Sequence, residues 1–365
     1  MFREAQLLKR AVDSGYGFEA HDGAGNGSSP SQGSLAPFFI VLANFVIFFP
    51  IWMITSYTFT NVFPVLAMVE DENPPAYEPV SLNDPETTSL PGEPALVPGT
   101  KKPANGRDAT QAVSSSFRGL NRLIRSYGGF RAYLRGIVCF SIMVFVASFI
   151  MSTLSSTFNP LLAGIGTIVA YMATLQLNTA WIHIIITPGS SRTFWRRLPP
   201  LKLAFTATWK PLVVYWLASE GSLLIVQIAS WALGIDVFTV YQGNNLVVDG
   251  IEWKFPVLFL ISLATLVLTI PAHVVLVRIQ ASLLPAGEDT IIPFDRSFAG
   301  KVEPAVVSGK GYATISDAWS TFSGAAWRRL GKLYVKVILV NAGITFAIAG
   351  LVFAQLAIVN ATSRN

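Results

Sequence analysis

The sequence predicts an all-α, polytopic integral membrane protein with six transmembrane helices in three pairs and interfacial helices on alternate loops. Three observations carry this. The chain of 365 residues is 52% hydrophobic and 13% charged, about half the charge of an ordinary soluble domain. It contains six apolar runs long enough to cross a hydrocarbon core of about 20 helical residues. An aromatic, basic stretch recurs three times, each time just before an even-numbered run.

In chain order, residues 1–36 are polar and Gly/Ser-rich ("HDGAGNGSSPSQGS") and read as a disordered tail with no cleavable leader. The membrane domain, 37–359, opens with a span from Pro37 to about Val65, longer than crossing requires, so tilt, a kink near Pro50 or an interfacial extension is expected. Residues 70–110 follow, an acidic, proline-rich linker that begins "EDENPPAYEP" and reads as disordered or polyproline-II-like. The stretch "SSSFRGLNRLIRSYGGFRAYLRGI" places Phe117, Leu120, Ile124 and Tyr127 at helical spacing opposite arginines, as a helix lying among lipid headgroups needs. Span 2 is Gly136–Leu154 and span 3 is Pro160–Ile186. "SRTFWRRLPPLKLAFTATWKPL" then leads into span 4, Pro211–Leu233. Span 5 is Phe255–Val277, and "ISDAWSTFSGAAWRRLGKLYVKVI" leads into span 6, Val337–Val359, with a short tail at 360–365.

Basic residues mark the cytosolic side of a membrane. The loop 187–210 carries Arg192, Arg196, Arg197, Lys202 and Lys210 without an acid, and loop 278–336 is equally rich. The alternate loop 234–254 has Lys254 against Asp236, Asp249 and Glu252. Loops 1, 3 and 5 are therefore expected in the cytosol, with both termini lumenal or extracellular, in an endomembrane or the plasma membrane. The Asn26-Gly-Ser sequon falls on that outer side, which makes Asn26 a glycosylation candidate. Basic residues beside the spans answer to lipid headgroups, so no nucleic-acid partner is expected.

Ionisable groups at bilayer depth raise a functional hypothesis. Glu220 is the acid inside a predicted span, and Gln227 shares its helix face. Gln176, Thr179 and His183 share a face of span 3, His273 and Gln280 one of span 5, and Asn341 is the polar residue of span 6. Each is either a pocket or pore residue or interhelical packing. A cavity where Glu220, His183 and His273 met would suit proton-coupled transport or acid-initiated chemistry on a lipophilic substrate. A single cysteine, Cys139, and three histidines leave no metal site or disulfide to propose, and no cofactor is expected.

Span 5 ends "PAHVVLVRIQ" and span 2 is preceded by "IRSYGGFRAYLRG". With the three two-span units, these resemble the mitochondrial carrier family, whose odd spans end Pro-x-Asp/Glu-x-x-Lys/Arg-x-Arg-x-Gln. Pro271, Arg278 and Gln280 match, while His273 replaces the acid and Leu276 the cation. The resemblance implies a carrier-like transporter or a non-transporting relative, and it keeps a mitochondrial membrane open as an alternative. The missing charges put the family's gating network in doubt. Pro74-Pro75-Ala76-Tyr77 is similar to the Pro-Pro-x-Tyr ligands of WW domains, which implies a WW-domain ubiquitin ligase as partner and Lys101 or Lys102 as an acceptor. The linker opening also resembles that of uncharacterised fungal multispan membrane proteins, which assigns no chemistry. The rival reading is a membrane-embedded enzyme, terpene-cyclase-like and of fungal secondary-metabolite type, with Glu220 as its acid.

Overall fold

The computed structural model describes residues 36–71, 112–157, 163–189, 193–235, 251–285, 287–302 and 311–362. Asn26, Pro74, Pro75, Tyr77, Lys101 and Lys102 lie outside them. The described elements are helical throughout: α1 (Ala36–Ile54), a π-helix (Thr55–Val62), α2 (Phe63–Val69), α3 (Phe117–Ser126), α4 (Ile137–Thr157), α5 (Ala163–Ile186), α6 (Leu201–Ala232), α7 (Ile251–Ser282), α8 (Ile315–Ser320) and α9 (Gly324–Thr362). Six helical segments are long and apolar enough to cross a membrane: Leu42–Val69, Gly129–Leu154, Gly164–Ile186, Leu201–Ala232, Trp253–Ser282 and Gly324–Gln355. Their outward side chains include Phe145 (72% exposed), Trp231 (82%) and Phe346 (77%), which water would drive into aggregates and lipid accepts. The chain is a multi-pass membrane protein.

The described residues of Met1–Val46 and Leu351–Asn365 form a small unit, in which Asn44 Nδ2 donates to Gln355 Oε1. Those of Ile47–Gly350 form the second, which holds the loops and cavities. Within it α5 is the central helix: 56% of an apolar 18-residue window of span 3 is buried, against 6% of the corresponding windows of spans 2 and 6. Ala170, Thr174, Thr179 and Ala180 are all nearly inaccessible, and small side chains of this kind let helices approach closely in lipid. α5 packs on α4, α6 and α7, and α6 runs against α7.

Span 1 is interrupted by a π-helix that begins five residues after Pro50. Asn61 Nδ2 caps the widened backbone through Ser56 C=O at 3.1 Å. Two of its side chains reach the chain just before α4: Tyr57 Oη donates to Arg135 C=O, and Thr58 Oγ1 donates to Tyr133 C=O at 2.7 Å. Trp181 Nε1 of α5 donates to Tyr57 Oη at 3.0 Å, which joins the central helix to the same knot. Gly136 turns the chain into α4 at φ +74°. A Cβ there would sit 3.2 Å from Trp181 Cδ1 and 3.3 Å from Tyr57 Oη, so both backbone and space require glycine.

The amphipathic stretch predicted before span 2 forms α3, with Leu120 and Ile124 buried. Its Phe117 ring meets Phe59 at 4.9 Å and Phe63 at 5.0 Å, edge to face. The other two aromatic, basic stretches each begin with a short helical turn of their own (Phe194–Arg197 and α8) and then continue into the spans themselves. Span 4 begins at Leu201 and runs through Pro211, and span 6 begins at Gly324. Pro199 and Pro200 set the start of α6 because proline tolerates a helix's first turn, and a proline inside a spanning helix is held by its neighbours.

Candidate functional site

Tyr171, Thr174, Asn178 and Trp181 recur at three- and four-residue spacing and so share one face of α5. They line a cavity of about 270 Å³ with Asn61 of the π-helix, Phe140 and Met143 of α4, Tyr215 of α6 and His273 of α7. The His273 ring lies 5.2 Å from that of Tyr215, which lies 6.0 Å from Tyr171. No lining residue is Asp, Glu, Lys or Arg. Apolar and aromatic walls with a few convergent hydroxyl, amide and imidazole groups suit a lipophilic molecule with one hydrogen-bonding end.

Of the residues predicted from sequence, His273 alone lines this cavity. Thr179, His183 and Gln280 form a separate buried cluster. His183 Nε2 donates to Gln280 C=O at 2.9 Å, and Gln280 Nε2 donates to Thr179 Oγ1 at 3.3 Å. Gln176 Nε2 donates to Pro199 C=O at 2.7 Å, tying span 3 to the start of span 4. Asn341 Nδ2 reaches Thr60 Oγ1 at 3.2 Å, and Gln227 is exposed on α6.

Glu220 sits at the opposite end of α5 from His183. Thr167 Oγ1 donates to Glu220 Oε1 at 2.6 Å and accepts the Trp216 indole N–H at 2.8 Å. Thr167 precedes His183 by sixteen residues, roughly 24 Å of helix, so Glu220, His183 and His273 do not converge. Tyr171 links the two regions, since it lines the cavity and interacts electrostatically with Glu220. Asn61, Tyr171, Asn178 and Tyr215 are the cavity residues that sequence reasoning missed. For Tyr171 and Asn178 the signal was the 171/174/178/181 face of span 3, which competes with the 176/179/183 face in the same helix.

At the end of the spans that carries the basic loops, Arg278 forms a fully buried pin, 0% exposed. Its Nη1 and Nη2 each reach Asp71 Oδ1 at 3.1 Å, Nη1 reaches Met68 C=O at 3.3 Å, and Nη2 reaches Thr321 Oγ1 at 3.1 Å. Phe298 and Phe322 cover the guanidinium at 5.1 and 5.3 Å. Phe298 and Ala299 adopt left-handed backbone (φ 49° and 57°), a conformation costing roughly 1–2 kcal/mol per residue. The Asp295 carboxylate holds that turn, accepting from the amides of Ser297 (2.8 Å) and Ala299 (2.7 Å). Burial alone would raise the Asp295 pKa, but bonds from Ser297 and Ala299 and the Arg278 charge bring it below the usual carboxylate value. Asp71 is held above that value by burial, which outweighs the attraction of Arg278.

Glu70, the first residue of the linker, is 1% exposed and accepts the amides of Val113 (2.5 Å) and Ser114 (2.9 Å). The linker's entry and exit are therefore clasped by one carboxylate, while its second acid, Asp71, anchors Arg278. No family model, curated protein or solved structure matches this chain.

Proposed function

We propose that this multi-pass protein is a carrier-like transporter that takes a lipophilic molecule with a hydrogen-bonding end into the cavity among spans 1 to 5. The observation that carries the reading is the cavity itself, uncharged, aromatic and furnished with Asn61, Asn178, Tyr171, Tyr215 and His273. The resemblance to the mitochondrial carriers in topology and in the Pro271, Arg278 and Gln280 pattern supports the transport half, and a non-transporting scaffold is its limiting form. Photolabelling of the protein in lipid nanodiscs with diazirine-bearing sterol and fatty-alcohol probes tests it. Label should concentrate on the α5 and α6 peptides that carry Asn178 and Tyr215, and Asn178→Leu should reduce it at least fivefold. Label spread over the lipid-facing helices and unchanged in Asn178→Leu overturns the reading.

In this reading the linker carries a WW-domain ligand at Pro74, Pro75 and Tyr77 and connects the protein to ubiquitin-dependent sorting. The clasp at Glu70 supports it, because it joins the residues that flank the linker, Glu70 on one side and Val113 and Ser114 on the other. Basic loops support a cytosolic linker and outer termini, with Asn26 glycosylated. Tyr77→Ala should lengthen cellular lifetime, and Asn26→Gln should abolish a glycosidase-sensitive mobility shift.

One observation favours a second reading, a membrane-embedded enzyme: Tyr171 lies in the cavity wall and interacts with Glu220 outside it, so acid from Glu220 would reach a bound alkene or epoxide by way of the Tyr171 hydroxyl. There Glu220→Gln should abolish product formation and leave probe labelling intact.

A further inference from the structure

The tyrosine-lined cavity holds more hydrogen-bonding capacity than its own wall consumes. Part of that wall is engaged within the protein: Asn61 Nδ2 donates to Ser56 C=O at 3.1 Å, Thr174 Oγ1 to Ala170 C=O at 2.8 Å and Trp181 Nε1 to Tyr57 Oη at 3.0 Å. Tyr171 is engaged by Ser219. Asn178 of α5, Tyr215 of α6 and His273 of α7 have no hydrogen-bonding partner among the described residues. Their nitrogen and oxygen atoms are not among those sealed inside the protein, so they open onto the cavity they line. Ser148 of α4 is uncommitted too, but it lies on the exposed side of that helix. Polar groups at this depth are bonded in the large majority of proteins. Idle donors and acceptors brought from three helices to one wall point to a ligand that uses them.

The chemistry of the three groups restricts that ligand. Asn178 offers an NH2 and a carbonyl, Tyr215 a hydroxyl, and an imidazole one N–H and one bare nitrogen, so each can both donate and accept. A ketone, ester or ether only accepts, and leaves the bare imidazole nitrogen unused. A hydroxyl donates once and accepts twice, which makes three bonds for three side chains. With no Asp, Glu, Lys or Arg in the lining, a carboxylate or ammonium head would be buried without a counter-charge. The aromatic walls suit an unsaturated or cyclic body: the Tyr215 and His273 rings lie 5.2 Å apart, and those of Phe140 and Trp181 5.4 Å. A water takes about 30 Å³ in the liquid, so a cavity of about 270 Å³ admits on the order of 10–15 non-hydrogen atoms.

We infer that the cavity recognises a small neutral alcohol, whose hydroxyl donates to His273 and accepts from Asn178 and Tyr215. The inference rests on the reading above that this cavity takes a lipophilic molecule, and it adds the head group, its charge and the size of the body. His273 is the specificity-determining residue, because its bare nitrogen is the acceptor that tells an alcohol from its ether. A site that bonds a hydroxyl rejects the analogue lacking it strongly, since the protein groups are then left idle.

The test uses the full chain in phosphatidylcholine nanodiscs at neutral pH, labelled with the diazirine-bearing fatty-alcohol probe. Dodecanol, its methyl ether, dodecanamide, dodecanoate and dodecylammonium compete for the label, each compared at equal mole fraction in the bilayer. Dodecanol should displace label from the α5 and α6 peptides at least tenfold better than any of the other four. In His273→Phe the preference of dodecanol over its ether should fall to less than threefold. Tyr215→Phe keeps the ring beside His273 and should weaken dodecanol at least threefold while leaving the ether unchanged, which separates a lost bond from lost packing. Label confined to the cavity peptides but displaced equally by dodecanol and its ether, or better by the amide or an ion, overturns this inference and leaves the cavity reading standing. Label that no competitor displaces from those peptides overturns both.

Discussion

Arg278 and Asp71 are 207 residues apart in sequence and meet in a nearly water-free junction, which makes their energetic coupling measurable. In Arg278→Met the stem between Phe298 and Phe322 keeps much of its volume. The Asp71 carboxylate, 15% exposed, is then left with the Asp295 amide at 2.9 Å as its remaining donor. Removing one member of a buried pair costs about 3–5 kcal/mol, because the other stays buried as an uncompensated charge. Asp71→Asn strands the guanidinium on Met68 C=O and Thr321 and should cost about 3 kcal/mol for the same reason. Independent effects would sum to about 6–8 kcal/mol. In the double variant neither member of the pair is charged, and neutral replacement of buried pairs is often without cost, so it should fall within about 1–2 kcal/mol of wild type. The coupling then exceeds about 4 kcal/mol, a factor of several hundred in the folded ratio. Reversible unfolding of the four proteins by sodium dodecyl sulfate in mixed micelles, followed by helical circular dichroism, measures it. Additivity within about 0.5 kcal/mol would refute the reasoning.

Three further outcomes are expected. Asp71 binds its proton more tightly folded than unfolded, since burial raises its pKa above 3.8. Its stabilising contribution is therefore complete below that value and is lost as pH rises through the folded pKa, and Asp71→Asn should flatten this slope in stability measured against pH. Glu70→Ala leaves the Val113 and Ser114 amides without their acceptor, which should cost about 2 kcal/mol and speed limited proteolysis at the return of the linker severalfold. Gly136→Ala forces a left-handed alanine toward Trp181 and Tyr57 and should lower stability by about 1–3 kcal/mol, read as a fall in melting temperature.

Much of the fold was legible because bilayer thickness writes itself into sequence: span 3 was read to Ile186, where α5 ends. The helix starts at Leu201 and Gly324 were not legible, since Arg and Lys extend a helix as readily as they mark a membrane surface. Single-chain reading could place Gln176, Thr179 and His183 on one face but not say what that face meets, which is Pro199 and Gln280 rather than the tyrosine-lined cavity. Glu70 and Asp71 looked like the start of an acidic linker. Only the long-range fold shows that the amides of Val113 and Ser114 and the buried Arg278 claim them. Tyrosines escaped notice in span 3 because an aromatic ring counts as apolar, yet Tyr171 brings a hydroxyl into the cavity wall.

The π-helix divides span 1 into two rods with different tasks. Ile51 and Trp52 before it are 47% and 53% exposed, whereas Phe63 and Val65 to Val69 after it are at most 2% exposed. A helix advances about 100° per residue, so loss of one residue from Thr55–Val62 would swing the lower rod by about that angle. Phe63 and Leu66 would turn out to the acyl chains, and Asp71 would be carried off its partner. The widened turn thus acts as the register key of the whole junction, and a length change there is expected to do more harm than most substitutions.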